Sequence, residues 1–553
     1  MIDVAARGLS FGASDTRDIP ARWFWAGVAV IAAGVASLLA VLLDAWPPHE
    51  DEALALFVGR GSLPHVVHTV IAVRGGAPLH FALAWAVVHL GGGLTALRVV
   101  SLLFAVASIP LIALLGTRLA DRVVGLVAAL LAAGTWVLLF HGIFGRMYSL
   151  FLFTSTLSFL LLLVALDRGG RRRFGLWAVA ALATLATHPY GVLVLAAQAV
   201  YIVLRGDRRR DAAVTLGAIA VAAIPFWWAD VVLRGRFGVG VGGGGSRLGS
   251  PSAVAHYFWW VSGDFAAGHH AWSAPVLIVA AAGFVLLALR RRTGALLTAC
   301  VILVPALAFM LARLHATASP EARHLIFALP FFSTLLATTL VDVARLRPLV
   351  TAPRAIAALG ALLLGEVRWA HEKTPLLFDG PPAAEVQARS DASAWLASRA
   401  RRDDVLLGYE PLYLTAWEKN RSFSKHVLPR ADPILMASAL ERLTTPLGRG
   451  VWVLDASDST NTWKRPRIRY AVPQPGRLFE AHAFGPYLVV RTRRAVRTRA
   501  RYVAAAEAVM RLGKSLAIGD ADVNLNTLVG AGRRIYGESG SRSSSRSRST
   551  ISR

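Results

Sequence analysis

Pro47-Pro48-His49-Glu50-Asp51-Glu52-Ala53-Leu54 follows closely on the first long apolar run, Trp23 to Leu43. Three consecutive carboxylates stand at the mouth of an apolar segment. The nature of that segment decides what the acids do. The chain has 553 residues, 55% of them hydrophobic, and a mean hydropathy of +0.52. Apolar runs of roughly 17 to 22 residues recur from residue 23 to about 368, the length a helix needs to cross a bilayer. Only helices or closed barrels satisfy the backbone polar groups in lipid, and these runs are continuous rather than alternating, so helices are expected.

Arginine clusters orient the runs. Arg7, Arg17 and Arg22 precede the first helix (23–43), which puts the N-terminus on the cytoplasmic side and the acidic stretch outside. Residues 44–95 then form a long outer, catalytic loop. Within it Pro78 to Leu90 is apolar but too short to span, contains His80 and His89, and is read as an interfacial helix. Spans are expected at 97–117, 124–140, 148–166, 175–187, 190–204, 212–232, 272–289, 295–313, 324–342 and 355–368. A Gly-rich outer loop covers 233–270. With about eleven crossings, the clusters Arg118/Arg122, Arg168–Arg173, Arg205–Arg210, Arg290–Arg292 and Arg345–Arg354 all fall on the cytoplasmic side. A crossing at 78–90 would instead set them against the N-terminal arginines.

The composition changes near residue 370. Ser390 to Arg399 reads as an amphipathic helix, and Val405–Tyr409, Val451–Asp455 and Tyr487–Arg491 as buried strands, so 369–495 is expected to be a small exterior α/β domain. Residues 496–553 form a basic tail expected to be largely disordered: a basic amphipathic segment followed by the Ser/Arg tract Ser539–Arg553, which cannot bury a core. Residues 1–22 are a polar cytoplasmic segment without a cleavable signal pattern, so the first helix serves as an uncleaved signal. The net charge of +26 raises nucleic-acid binding, but the basic residues lie in short clusters between apolar runs and in the tail, as membrane loops require. Nucleic acid is therefore excluded as a partner. The single cysteine, Cys300, excludes a disulfide framework and a Cys-based zinc site.

The chemistry-bearing residues gather at the outer helix ends. Asp51 and Glu52 suit a general base with an orienting partner: a sugar transfer needs a carboxylate to take the proton of an attacking hydroxyl. Read blandly, they are a solvated loop. Arg74, in Arg74-Gly75-Gly76-Ala77-Pro78-Leu79-His80, either snorkels to headgroups or meets a lipid phosphate. Arg146 and Tyr148 open the span at 148 on the outer face, against the positive-inside bias, where a phosphate or an outer carboxylate would pair the arginine. His188 and Tyr190 join two short helices in Thr187-His188-Pro189-Tyr190, a costly depth unless they line a polar cavity. Arg323 and His324 open another span in the same way. His269-His270 with Asp264 read as solvated loop rather than a metal site. A divalent cation is conceivable only if Glu50 and Glu52 converge on it; no metal ligand is assigned.

In order along the chain, Asp51-Glu52, Gly76-Ala77-Pro78-Leu79-His80, Arg146-Met147-Tyr148-Ser149-Leu150, Thr187-His188-Pro189-Tyr190 and Glu321-Ala322-Arg323-His324-Leu325 resemble the glycosyltransferase-C superfamily. The pattern is most similar to the family 39 type that holds protein O-mannosyltransferases and lipid A aminoarabinose transferases. The resemblance spans roughly residues 20–345. It departs at Arg323-His324-Leu325, where Arg-Tyr-Leu is commoner. It implies a multi-pass cell-membrane hexosyl- or pentosyltransferase of the cell envelope. Such an enzyme takes a polyprenyl-phosphate-linked sugar as donor and a glycan, lipid or protein as acceptor on the outer face, with inversion. Asp51 would be the base, Glu52 its support, and the arginines and His80 would hold the phosphate. The competing class is a polytopic transporter or lipid flippase. Transporters carry ionisable groups at mid-depth, whereas here the notable ones gather at one face.

Overall fold

A computed structural model describes residues 19–237, 250–269, 272–311, 321–430, 432–455, 478–515 and 524–534. Arg7, Arg17, residues 238–249 of the Gly-rich stretch, His270 and Ser539–Arg553 lie outside the described residues.

The chain is a polytopic helical protein. Helices stand at every position where a span is expected. Among the described residues, seven segments are long and apolar enough to cross a membrane. They are α1 (Ala21–Leu42), α5 (Leu94–Leu119), α8 (Tyr148–Arg168), α14 (Ser273–Arg290), α15 (Arg292–Leu311), the 3₁₀ turn Ala322–Ala328 continued by α16 (Leu329–Leu346), and α17 (Pro348–Lys373). Two further segments are bent pairs that pass the same test only together: α6 (Arg122–Gly134) with α7 (Trp136–Ile143) at 61°, and α11 (Arg209–Ala222) with α12 (Ile224–Phe237) at 55°. The first bend falls at Gly134-Thr135, where a glycine relaxes the helical ladder. The remaining two, α9 (Arg171–Thr187) and α10 (Gly191–Arg205), have 17 and 15 residues. Between α12 and α14, where only loop was expected, α13 (Pro251–Asp264) adds a helix capped by Ser250, whose hydroxyl accepts from Ala253 N–H at 3.2 Å.

α8 and α16 are mostly buried in the bundle; α1 and α17 are mostly exposed. The exposed faces carry Val30, Val41, Leu289, Leu349 and Leu364, an apolar coat suited to lipid.

The 44–95 segment is ordered rather than a loop. It folds into α2 (Glu50–Gly59), α3 (Leu63–His68), a π-helical turn (Thr69–Arg74) and α4 (Pro78–His89), the last at the expected interfacial position. Gly75 has φ +77°, and a Cβ there would sit 2.4 Å from Ala229 O on α12. Glycine is needed there both for the left-handed backbone and for the close approach.

Beyond α17, α18 (Ala383–Arg399) leads into a five-stranded sheet of order β2-β1-β3-β5-β4. The strands are β1 (Val405–Gly408), β2 (His426–Pro429), β3 (Gly450–Asp455), β4 (Phe479–Phe484) and β5 (Tyr487–Thr492), with α19 (Glu410–Lys419) and α20 (Pro433–Arg442) between them. β1 pairs in parallel with β2 and β3, and β5 runs antiparallel to β3 and β4. Sequence reading missed β2 and β4, both at the edges. The expected tail begins too early: α21 (Arg499–Ser515) buries Tyr502, Val503, Ala506 and Met510 against Trp452, Leu454 and Val490 on one sheet face. The opposite face, with Leu406, Val451 and Val489, forms one apolar cluster with Ala53, Leu56, Val66 and Phe81 of the 44–95 segment. Alternate residues of each strand therefore serve two cores, and one core belongs jointly to the sheet and to the acidic segment.

Candidate active site

The acidic stretch is the first turn of α2. His49 is its N-cap. The His49 Nδ1 accepts from Asp51 N–H at 3.2 Å, and Glu52 accepts from His49 N–H at 3.1 Å. This reciprocal cap satisfies N–H groups that a helix start otherwise leaves unpaired, and three carboxylates suit its positive end.

The three acids then diverge. Glu52 is fully buried and meets Arg98 of α5, itself 1% exposed. Arg98 donates Nε to Glu52 Oε1 at 2.9 Å and Nη2 to Oε2 at 2.8 Å. Gly145 N–H donates to the same Oε1 at 2.7 Å. Arg98 also donates to the carbonyls of Trp46 at 2.8 Å, Leu43 at 3.1 Å and Pro47 at 3.2 Å. Glu52 thus fixes the segment to the bundle. Glu50 pairs with Arg430 of the sheet domain. Asp51 is the most open of the three, 27% exposed against 17% for Glu50, with Oδ1 2.6 Å from Arg146 Nη1. Burial pushes its carboxyl up, but Arg146 foremost, then His49, Arg323 and Arg74, hold it well below the usual carboxylate range.

Around Asp51 the structure gathers most of the residues expected from sequence. Arg146 and Arg323 both lie against the Tyr148 ring, with guanidinium carbons 6.0 and 5.1 Å from its centroid. Tyr148 is 5.6 Å from His188 and 6.3 Å from His324, and Tyr190 is 5.1 Å from His324. Arg323 also pairs with Glu321 at 2.6 Å. The His188 Nδ1 accepts from Tyr190 N–H at 3.1 Å. Burial, then the positive field of Arg146, lowers both His80 and His188 to about 3, so both imidazoles are neutral. Arg74 is placed differently. It sits 3.5 Å from Asp432 of the sheet domain and 4.9 Å from the Phe81 ring centroid, contributing to the field at Asp51 from behind.

Sequence reading missed Arg98, His141 and Lys373. Arg98 had one visible signal, a charge one turn inside an apolar helix. His141 is 1% exposed, and neither ring nitrogen has a hydrogen-bond partner among the described residues. It lines a cavity of about 550 Å³ with Trp46, Trp136, Trp260, Arg323 and Lys373. His80 Nε2, Trp136 Nε1, Arg146 Nε and Arg323 Nε are likewise buried without hydrogen-bond partners among the described residues.

These donors do not fit a divalent cation. Glu50 and Glu52 take separate arginines instead of converging, and Asp51 faces a third. Asp264 is engaged by Lys373 at 2.6 Å and Trp369 at 3.0 Å, with His269 at 3.4 Å. Among the described residues no group of three or more His, Cys, Asp or Glu is placed to hold a metal.

The arrangement as a whole has counterparts. The crystal structure of ArnT from Cupriavidus metallidurans in the apo state superposes with a TM-score of 0.56 at 13% identity, over 85% of this chain and 98% of that one. The chain shares the fold of ArnT. ArnT bound to undecaprenyl phosphate matches with a TM-score of 0.54 at 13% identity, over 84% of this chain and 97% of ArnT. No protein-family model matches the sequence, and no curated protein does. The correspondence to ArnT therefore lies in the fold.

Proposed function

We propose that the chain is a membrane glycosyltransferase that moves a sugar from a polyprenyl-phosphate donor to an acceptor at the bundle end carrying α2, on the exterior face. One observation carries the reading. A partly open carboxylate, Asp51, faces two guanidiniums on one Tyr148 ring, amid buried N–H donors that have no partner. Buried polar groups rarely stay unsatisfied, and a ligand rich in acceptor oxygens would satisfy these. A glycosyl phosphate is such a ligand. ArnT has been seen with undecaprenyl phosphate, which supports a lipid-borne one.

The chemistry follows from the placement. The acceptor hydroxyl attacks the anomeric carbon, Asp51 takes its proton, and the bond from that carbon to the phosphate oxygen breaks. Negative charge grows on the departing polyprenyl phosphate. Arg146 and Arg323 are held in place to receive it, a preorganised electrostatic effect. Attack opposite the leaving group inverts the anomeric centre. The aromatic cavity beside Arg323, walled by Trp46, Trp136 and Trp260, offers ring faces against which a sugar stacks.

In the empty site Arg146 keeps Asp51 a weak base. A donor phosphate drawing on the same guanidinium raises the affinity of Asp51 for a proton when the reaction needs it. Asp51→Asn should abolish transfer from a polyprenyl-phosphate sugar while binding undecaprenyl phosphate at least as tightly as wild type. Transfer at the wild-type rate by Asp51→Asn would refute the assignment.

A further inference from the structure

The cavity of about 550 Å³ beside Arg323 falls within the range of small-molecule sites, about 300–1,000 Å³. Among the described residues, the charged side chains in its lining are Asp264, Glu321, Arg323 and Lys373. They close on one another. Asp264, 6% exposed, is engaged by Lys373 at 2.6 Å, by Trp369 at 3.0 Å and by His269 at 3.4 Å. Glu321 is the open acid, 46% exposed, and pairs with Arg323 at 2.6 Å. Lys373 Nζ also lies 3.7 Å from the Trp136 ring centroid. The two acids and two bases therefore balance, and the buried acid is already saturated by its own neighbours.

The uncharged lining is different. α7 is buried along its whole length, and its 61° bend from α6 accompanies the placing of Trp136 and His141 in the cavity wall. His141 packs among rings: the centroids of Trp136, Phe140 and Tyr148 lie 5.9, 5.1 and 4.6 Å from its own. Neither His141 nitrogen, nor Trp136 Nε1, has a hydrogen-bond partner among the described residues. A side chain needed there only for its shape would carry no polar atoms, since burying them unsatisfied is costly. An imidazole in its neutral form has one donor and one acceptor, and a hydroxyl both donates and accepts. The indoles of Trp46, Trp136 and Trp260 line the same space, where they suit the C–H faces of a sugar ring. His141 also packs on Tyr148, the ring that both Arg146 and Arg323 lie against, so a sugar at His141 stands close to a phosphate at the arginines.

We infer that His141 selects the donor sugar. Its two nitrogens hydrogen-bond sugar hydroxyls, and the cavity takes a neutral, polyhydroxylated sugar in preference to an amino sugar or a uronic acid. An ammonium group would find the buried Asp264 already engaged, and a carboxylate would find Lys373 held by Asp264 and Arg323 drawn to the phosphate. The inference rests on the donor reading above and deepens it, naming the class of sugar and the residue that recognises it.

Binding to the purified full-length protein in detergent is measured without acceptor, for undecaprenyl phosphate alone and for its glucosyl, mannosyl, galactosyl, glucosaminyl and glucuronosyl conjugates. At least one neutral conjugate should bind about tenfold more tightly than the bare carrier, the worth of one or two neutral hydrogen bonds. The glucosaminyl and glucuronosyl conjugates should bind no more tightly than the carrier. His141→Phe keeps the aromatic packing and should erase the gain while binding the bare carrier like wild type. His141→Gln, which retains a donor and an acceptor, should recover part of it. A gain that survives in His141→Phe would overturn the role of His141. An equal gain for the glucosaminyl or glucuronosyl conjugate, or no gain for any neutral one, would overturn the neutral sugar. Where His141→Phe does not fold, His141→Ala gives the same comparison, and the wild-type ranking of the conjugates stands by itself. All of these outcomes leave carrier binding intact. Absence of saturable binding by undecaprenyl phosphate and every conjugate would instead remove the donor reading, and this inference with it.

Discussion

Arg98→Met tests the claim that a buried ion pair, rather than the apolar core alone, holds the acidic segment. Arg98 is 1% exposed and Glu52 fully buried. The substitution keeps most of the side-chain volume, so cavity formation is a small part of its effect. It removes two charge-assisted hydrogen bonds to Glu52, at 2.8 and 2.9 Å, and the donors to three carbonyls, Leu43, Trp46 and Pro47. Glu52 keeps only the N–H groups of Gly145 and His49. Breaking a buried pair by removing one partner costs about 3–5 kcal/mol, because the other charge stays buried. Glu52→Gln in the Arg98→Met background removes that stranded charge and should recover about 1–2 kcal/mol, a coupling expected for groups in direct contact. Equilibrium unfolding in mixed micelles, followed by tryptophan fluorescence, measures each corner of the cycle. An Arg98→Met variant within about 0.5 kcal/mol of wild type, the range of ordinary surface changes, would refute the reasoning. So would a double variant no more stable than the single one.

Other consequences are more local. Arg430→Gln should loosen the sheet domain from α2 by breaking its contact with Glu50, and limited proteolysis should then cut between α17 and α18 faster than in wild type. Gly75→Ala forces a side chain into φ +77° and to within 2.4 Å of Ala229 O, and should cost about 1–3 kcal/mol, read as a lower unfolding midpoint. His80 and His188 have folded-state values of about 3 against 6.5, so between pH 6.5 and 3 the unfolded chain binds more protons. Stability is full above pH 6.5 and should fall by about 1.4 kcal/mol per pH unit per histidine as the pH drops through that window. His188→Gln should shallow the slope, and an unchanged slope would refute the assignment of a buried neutral imidazole.

The bundle was legible because length and hydropathy act locally: each apolar run is its own signal, and every expected span has a helix. The site was legible for a related reason. Arg146, His188 and Arg323 are polar residues at helix ends where lipid would select against them, so each stands out within its own few residues. Most of what was not legible depends on contacts distant in sequence. β2 is a short edge strand whose partner β1 lies on the far side of α19; β4 pairs with its neighbour β5 but is a half-buried edge strand without a continuous apolar run. α21 looked like tail because its arginines dominate its composition, while Tyr502, Val503, Ala506 and Met510 recur on one face and are buried. The core shared by Leu406 and Val451 with Leu56 and Phe81 joins residues more than three hundred positions apart, and no local pattern announces it.

The acidic triplet shows the same limit at the scale of one turn. Successive residues on a helix point about 100° apart, so three adjacent carboxylates at a helix start cannot share a target. Once Glu50-Asp51-Glu52 is helical, each must find its own partner, and each finds an arginine from a different part of the fold. Glu50 takes Arg430 of the sheet domain, Asp51 takes Arg146 between α7 and α8, and Glu52 takes Arg98 of α5. Two of these pairs are structural in consequence: Arg98 is buried with Glu52, and Arg430 ties two parts of the chain together. The third differs in degree: Asp51 stays 27% exposed, against 17% for Glu50 and 0% for Glu52. On the proposed reading the base is the carboxylate that its pairing leaves most open. The roles should not be exchangeable. Asp51→Glu keeps the charge but moves it outward by about one methylene, and a transfer reaction sensitive to displacements of about 1 Å should lose on the order of a hundredfold in rate. Glu52→Asp withdraws a carboxylate from Arg98 and should lower stability more than it alters the pH dependence of transfer. If Glu52→Asp shifted that pH profile while Asp51→Glu left the rate intact, the two carboxylates would have to trade places.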